Sequence, residues 1–142
     1  MLRHGDAEDG AGKPDADREL TEKGEQQSVN AGRALKKLGI ELDVCLTSPK
    51  VRAKRTAELA CDVLGAEVEV DDRLAGGDFD PLEVAAGRGE VMLVGHEPDF
   101  SSAVALVTGS RVKFKKGGVA AIDDHVLHTL LRPKDLREIA GG

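Results

Sequence analysis

Val91-Met92-Leu93-Val94-Gly95-His96-Glu97-Pro98 is the stretch on which the fold turns. Four apolar residues follow one another without alternation, as in a strand buried on both faces. Pro98 then opens a helix that stops near Gly109, since proline fits a first helical turn and glycine the position after a last one. A doubly buried strand running straight into a helix is one βα unit of a sheet with helices on both sides. The same punctuation recurs upstream. Asp43 to Thr47 reads as a strand, with Ser48 as N-cap and Pro49 as first residue of a helix to about Leu64, before Gly65. Thr21 caps a helix to about Leu38, with Val29, Leu35 and Leu38 in its apolar stripe and Gly39 as its stop. Leu2 to His4 reads as a strand end with only Met1-Leu2 before Arg3, so this strand is expected to be short. Gly5 to Arg18 is polar and glycine-containing, hence a loop.

Glu67 to Val70 alternates as a strand, Ala75 to Asp80 is a loop, and Pro81 to Arg88 a short helix. Val119 to Ile122 and Val126 to Leu131 are two strands joined at Asp123-Asp124, and Pro133 starts a last helix. The expectation is a three-layer α/β/α sandwich, its sheet mostly parallel with an antiparallel strand late in the chain, and residues 1–142 as one domain.

Composition narrows the function. Of the 142 residues, 40% are hydrophobic, 32% charged and only 2% aromatic, with no Trp or Tyr, so the core is built from Val, Leu, Ile and Ala. A formal net charge of -6 and the lack of aromatic stacking platforms argue against a nucleic-acid binder and against attraction to an anionic membrane. Cys45 and Cys61, far apart and outside any CxxC pattern, read as reduced thiols behaving as small hydrophobes. No signal peptide and no membrane-spanning run stand out, so the cytoplasm is the expected location.

In a parallel sheet the ligand site lies beyond the carboxyl ends of the strands. His4, Ser48 and His96 each fall just after an expected strand, which brings three turns to one edge. Arg52 lies in the first turn of the helix after Ser48. Its guanidinium adds to the free N–H groups there. Arg3 brings a second fork beside His4. Taken singly, Arg52 reads as a solvated helix arginine, His96 as a capped turn residue and His4 as a chain end. Taken together, two imidazoles and two guanidiniums at one sheet edge suit phosphoryl transfer, because imidazole attacks phosphorus and guanidinium grips phosphate oxygens in pairs.

Arg3-His4-Gly5, then Ser48-Pro49-Lys50-Val51-Arg52-Ala53, then a second histidine after a late strand resemble, in that order, the signature of the histidine phosphatase superfamily, the phosphoglycerate mutase-like fold. The resemblance covers essentially the whole chain. Within the superfamily, the short length, Arg3-His4-Gly5-Asp6-Ala7, Leu20-Thr21-Glu22-Lys23-Gly24 and Gly95-His96-Glu97-Pro98 are most similar to the small bacterial phosphohistidine phosphatases of the SixA type. The resemblance implies that His4 becomes phosphorylated, that Arg3 and Arg52 hold the phosphoryl oxygens, and that His96 completes the pocket and stabilises the transition state. It implies no metal and no cofactor, the arginines supplying the positive charge. The family often has Gln before the Thr of its second motif. Here Arg55 precedes Thr56 and is expected to face solvent.

No carboxylate stands out as general acid. Asp78, in Gly76-Gly77-Asp78, is the nearest by position, with Glu97 and Asp6 behind it; on its own Asp78 reads as a turn former. A weak acid suits phosphohistidine, because a protonated phosphoimidazole leaves as neutral imidazole, whereas an alkoxide needs a proton. His125 and His128 read as surface or edge residues. The basic stretch Arg111 to Lys116 reads as a solvated edge or loop, which would recruit an acidic protein only if it borders the pocket. The expected function is therefore a metal-independent phosphatase acting on phosphohistidine in a protein partner. A phosphatase or mutase for small phosphomonoesters, and a non-catalytic phosphoprotein-binding module, are the alternatives.

Overall fold

In the computed structural model, which describes residues 1–141, six strands form one sheet. They are β1 (Leu2–Arg3), β2 (Val44–Thr47), β3 (Val68–Val70), β4 (Val91–Gly95), β5 (Val119–Asp123) and β6 (Val126–Leu131), in the order β3-β2-β4-β1-β5-β6. Strands β3, β2, β4 and β1 run parallel, and β5 is antiparallel to both β1 and β6. The helices are α1 (Glu22–Lys37), α2 (Val51–Leu64), α3 (Pro81–Ala85), α4 (Asp99–Thr108) and α5 (Pro133–Gly141). Among the described residues no helix is long and apolar enough to cross a membrane.

Strand alternation decides which helices cover which face. Cys45 of β2 with Met92 and Val94 of β4 joins Ala31, Ala34 and Leu35 of α1, Ala57 and Ala60 of α2 and Leu136 of α5. Val44 and Leu46 with Leu93 point the other way, to Val84 of α3, Phe100 and Val104 of α4, and Phe114. The result is the three-layer α/β/α sandwich with a mostly parallel sheet, as expected.

Three details differ from the sequence reading. Leu38 is 52% exposed rather than part of a buried stripe. The face α1 buries is Gly24, Ser28, Ala31, Gly32, Ala34 and Leu35, small residues that let α2 come close: a Cβ on Gly32 would lie 2.6 Å from the Ala60 carbonyl oxygen. Helix α2 begins at Val51 with Lys50 as its cap residue, not at Pro49 behind Ser48. Helix α3 ends at Ala85 rather than Arg88, because Ala86 leaves helical geometry and Gly87 turns the chain at φ 74°.

Candidate active site

Backbone bonds at the sheet edge set the positions of the turns. Register pairs Leu2 with Val94 and Arg3 with Gly95, and Thr47 with Val94. The His4 N–H then donates to the Gly95 carbonyl at 3.0 Å, and the Ser48 N–H to the Val94 carbonyl at 3.0 Å. Three adjacent parallel strands, β2, β4 and β1, thus deliver Ser48, His96 and His4 side by side at their carboxyl ends. Imidazoles His4 and His96 lie 5.2 Å apart, centroid to centroid, tilted by 54°. Both are buried, as is Arg52. Of the sequence-derived candidates, the structure gathers His4 and His96 in contact, with the positive charges of Arg3 and Arg52 acting on His4.

Glycine at position 5 has a steric cause. A Cβ there would fall 2.5 Å from the Gly24 carbonyl oxygen, and one on Gly24 would fall 2.0 Å from the Asp6 carbonyl oxygen. The chain after β1 crosses the first turn of α1 backbone to backbone. Thr21 holds this crossing: its hydroxyl accepts from the Gly24 N–H at 3.1 Å and donates to the Asp6 carboxylate at 2.8 Å.

Proton positions follow from the partners. His4 Nδ1 lies 2.7 Å from the Gly5 carbonyl oxygen, which can only accept, so Nδ1 carries the proton and Nε2 keeps its lone pair. Burial above all, then the charges of Arg52, Arg3 and Lys116, push the His4 pKa down to about 4. Burial, then His4 and Arg52, push His96 down to about 3. Both rings are therefore neutral at pH 7. His96 Nε2 lies 2.8 Å from the Ser48 hydroxyl, while its Nδ1 is buried without a partner, as are Nε of Arg3 and Nε of Arg52.

Several roles at the site escape a sequence reading. Ser48 is not a helix cap but the partner of His96, although its oxygen also accepts from the Lys50 N–H at 3.2 Å. Thr56, fully buried, accepts from the Gly5 N–H at 3.1 Å and donates to the Arg52 carbonyl at 2.7 Å, tying the two arginine-bearing segments together. Asp15, in a 3-10 turn at Asp15–Asp17, takes Arg52 Nη1 on its carbonyl at 2.8 Å and Nη2 on its carboxylate at 3.2 Å, with Lys50 Nζ at 3.5 Å. The motif spacing does flag Ser48 and Thr56 as part of the second signature; nothing local flags Asp15.

The candidate acids fare differently. Asp78 is exposed in the loop before α3 and makes no hydrogen bond or ion pair with any of the four residues. Glu97 is spent on structure: its carboxylate accepts from the Ser101 N–H at 2.7 Å, from the Ser101 hydroxyl, and from the Phe114 N–H at 3.2 Å. Asp6 is held ionised, its pKa lowered first by the Thr21 hydroxyl and then by Lys116. Arg55 is exposed, as expected, and His125 and His128 are exposed at the far hairpin. Among the described residues no group of three or more His, Cys, Asp or Glu side chains is placed to hold a metal ion.

Known proteins share this fold. The solved structure of the protein histidine phosphatase SixA complexed with tungstate superposes with a TM-score of 0.83 at 28% identity, over 95% of this chain and 96% of that one. Phosphoserine phosphatase from Entamoeba histolytica, at 16% identity and a TM-score of 0.71 over 95% and 96% of the two chains, shares the fold. An uncharacterized protein of Picosynechococcus sp. is 38% identical over 135 residues, 86% of this chain and 82% of its own. The family model of the histidine phosphatase superfamily, branch 1, matches residues 1–99, a span that takes in Arg3, His4, Arg52 and His96. By that match, this chain belongs to the histidine phosphatase superfamily.

Proposed function

We propose that this protein is a phosphatase that works through a phosphorylated His4 and removes phosphate from phosphohistidine in a partner protein. The observation that carries the reading is a neutral imidazole, its Nε2 lone pair free, in contact with His96 and under the positive charges of Arg52 and Arg3. The unpartnered nitrogens Arg3 Nε, Arg52 Nε and His96 Nδ1 are what a set of anion-binding groups leaves open, since buried polar atoms ordinarily find partners. The SixA structure carries tungstate, a tetrahedral oxyanion with the shape of phosphate.

In the proposed reaction His4 Nε2 forms a bond to phosphorus as the substrate's P–N bond breaks. The substrate imidazole leaves neutral if its other nitrogen is protonated. The new phosphohistidine is likewise protonated at Nδ1, against the Gly5 carbonyl. One P–N bond replaces another of the same kind, so the first step needs no general acid, in keeping with carboxylates that are either engaged or exposed. Water then attacks phosphorus, gives its protons to the departing phosphate, and restores the Nε2 lone pair. Arg3 and Arg52 stabilise the charge on the equatorial oxygens, and His96 donates to one of them.

The test pairs a trapping experiment with a substrate comparison. His4→Ala should abolish both turnover and the acid-labile phosphoenzyme, while His96→Ala keeps some phosphoenzyme and slows turnover by about 10²–10³. On one enzyme preparation, kcat/KM for a phosphohistidine peptide should exceed that for phosphoserine or a sugar phosphate. A sugar phosphate preferred by about tenfold, roughly 1.4 kcal/mol in the barrier, would overturn the substrate and leave the histidine chemistry standing.

A further inference from the structure

One groove runs counter to the charge of the chain. The sequence holds 26 acidic and 20 basic residues, yet an open groove of about 570 Å³ is lined by Arg3, Lys23, Lys115, Lys116, Arg132 and Lys134. Asp6 is its one acidic lining residue. The cations come from four segments far apart in sequence: the end of β1, the first turn of α1, the loop before β5, and the junction of β6 with α5. Lys116 pairs with Asp6 at 3.4 Å, and Arg132 with Asp135 at 3.0 Å. Lys23, Lys115 and Lys134 are exposed, with no side-chain hydrogen bond or ion pair among the described residues.

The groove adjoins the histidine site through shared structure. Arg3 belongs to both, its Nη1 donating to the Phe114 carbonyl at 2.9 Å. The loop carrying Lys115 and Lys116 is pinned to His4, whose carbonyl accepts from the Gly117 N–H at 2.9 Å. So the basic stretch that reads in sequence as a solvated loop does border the site.

We propose that this groove docks the substrate protein by a carboxylate-rich face next to its phosphohistidine. The proposal rests on the phosphohistidine reading given above. Its chemistry favours a protein over the second phosphate of a small molecule. Unpaired exposed lysines are hydrated point charges on long stems; they steer and orient a partner from a distance rather than clamp one anion. A compact phosphate is better held by buried guanidinium forks, which this groove lacks: Arg3 is half-buried and Arg132 is exposed. The remainder of the chain is net acidic and repels the same partner, so the groove also selects the direction of approach.

The experiment uses two fluorescent phosphohistidine peptides of equal length, one flanked by Asp and Glu and one by Asn and Gln, and an unphosphorylated copy of the acidic one. The variant is Lys115→Glu/Lys134→Glu, with Lys115→Gln/Lys134→Gln as a milder second; neither breaks a side-chain hydrogen bond. Wild type should turn over the acidic peptide about tenfold better than the neutral one at low salt, with the ratio approaching one near 0.5 M salt. The reversed variant should lose that ratio while its turnover of free phosphohistidine stays within about twofold. A ratio of one in wild type, or one that survives charge reversal, overturns the docking surface and leaves the phosphatase reading intact. Loss of all phosphohistidine turnover in wild type, with a phosphomonoester still cleaved, instead overturns that reading. Docking is then decided by anisotropy of the unphosphorylated acidic peptide, which should bind wild type and not the reversed variant. Tripolyphosphate binding more tightly than that peptide, and lost on reversal, would assign the groove to a small polyanion and refute the proposal.

Discussion

Arg52 already holds an anion in this structure. Its two terminal nitrogens engage the carbonyl and carboxylate of Asp15, and Lys50 stands 3.5 Å from the same carboxylate. Hydrogen bonds from Arg18 and then Arg52 hold the Asp15 pKa at about 2, so the carboxylate is charged wherever the protein works. A phosphoryl group arriving at Arg52 competes with it. Asp15→Asn keeps the carbonyl contact and removes the charge, and should tighten inorganic phosphate binding by about threefold or more. The gain is modest because Asp15 is mostly exposed and screened. Isothermal titration would check it; weaker phosphate binding would mean that Asp15 positions Arg52 rather than competes for it. This residue also marks the limit of sequence reading. His4 and His96 are legible because each follows a strand signal, Arg3 because it stands beside His4, and Arg52 because it lies in the first turn of the helix after Ser48. Asp15 sits in an aperiodic loop, and its partner is 37 residues away, so no local pattern announces the pair. The pairing of Ser48 with His96 is hidden for a similar reason: the Ser-Pro signal that reads as a helix start is used in the turn before the helix.

At the level of elements, the crossing of the post-β1 loop over α1 carries the site's geometry. It places the Gly5 carbonyl that orients His4, and it explains why positions 5 and 24 are both glycine. Gly24→Ala forces a Cβ to within 2.0 Å of the Asp6 carbonyl oxygen, a backbone atom that cannot swing aside as a side chain can. The expected cost is about 3 kcal/mol or more in urea unfolding, with loss of activity beyond the loss of folded protein, since the Asp6 shift propagates to Gly5. Unchanged stability would show that the loop relaxes freely. Strand and helix existence follows the apolar runs and the capping residues closely here. What the runs do not carry is which helix face is buried when that face is Ala, Gly and Ser: α1 packs by close approach at Gly32 rather than by large side chains, and Leu38 at its end stays in water.

For the molecule as a whole, the order β2-β4-β1 at the centre of the sheet places two buried imidazoles side by side among cations, and stability inherits the result. Arg52 and Arg3 act on the pair together with Lys116 and Lys50, and Asp15 opposes them at His96. Both rings are shifted downward from 6.5, to about 4 for His4 and about 3 for His96. The unfolded chain therefore binds protons at these two residues before the folded one does. The sign follows directly: stability is fully present above about pH 6.5 and declines as pH falls toward 4, because the unfolded state gains protons that the native state refuses. In a buffer free of phosphate, the melting temperature should drop by roughly 10 °C between pH 7 and pH 4.5. His4→Gln/His96→Gln should flatten that interval, while leaving the steeper loss below pH 4 that comes from protonating ion-paired carboxylates such as Asp15. A wild-type melting temperature that holds steady or rises on acidification to pH 4.5 would contradict the neutral, buried imidazole pair, and with it the free lone pair on which the nucleophilic role of His4 depends.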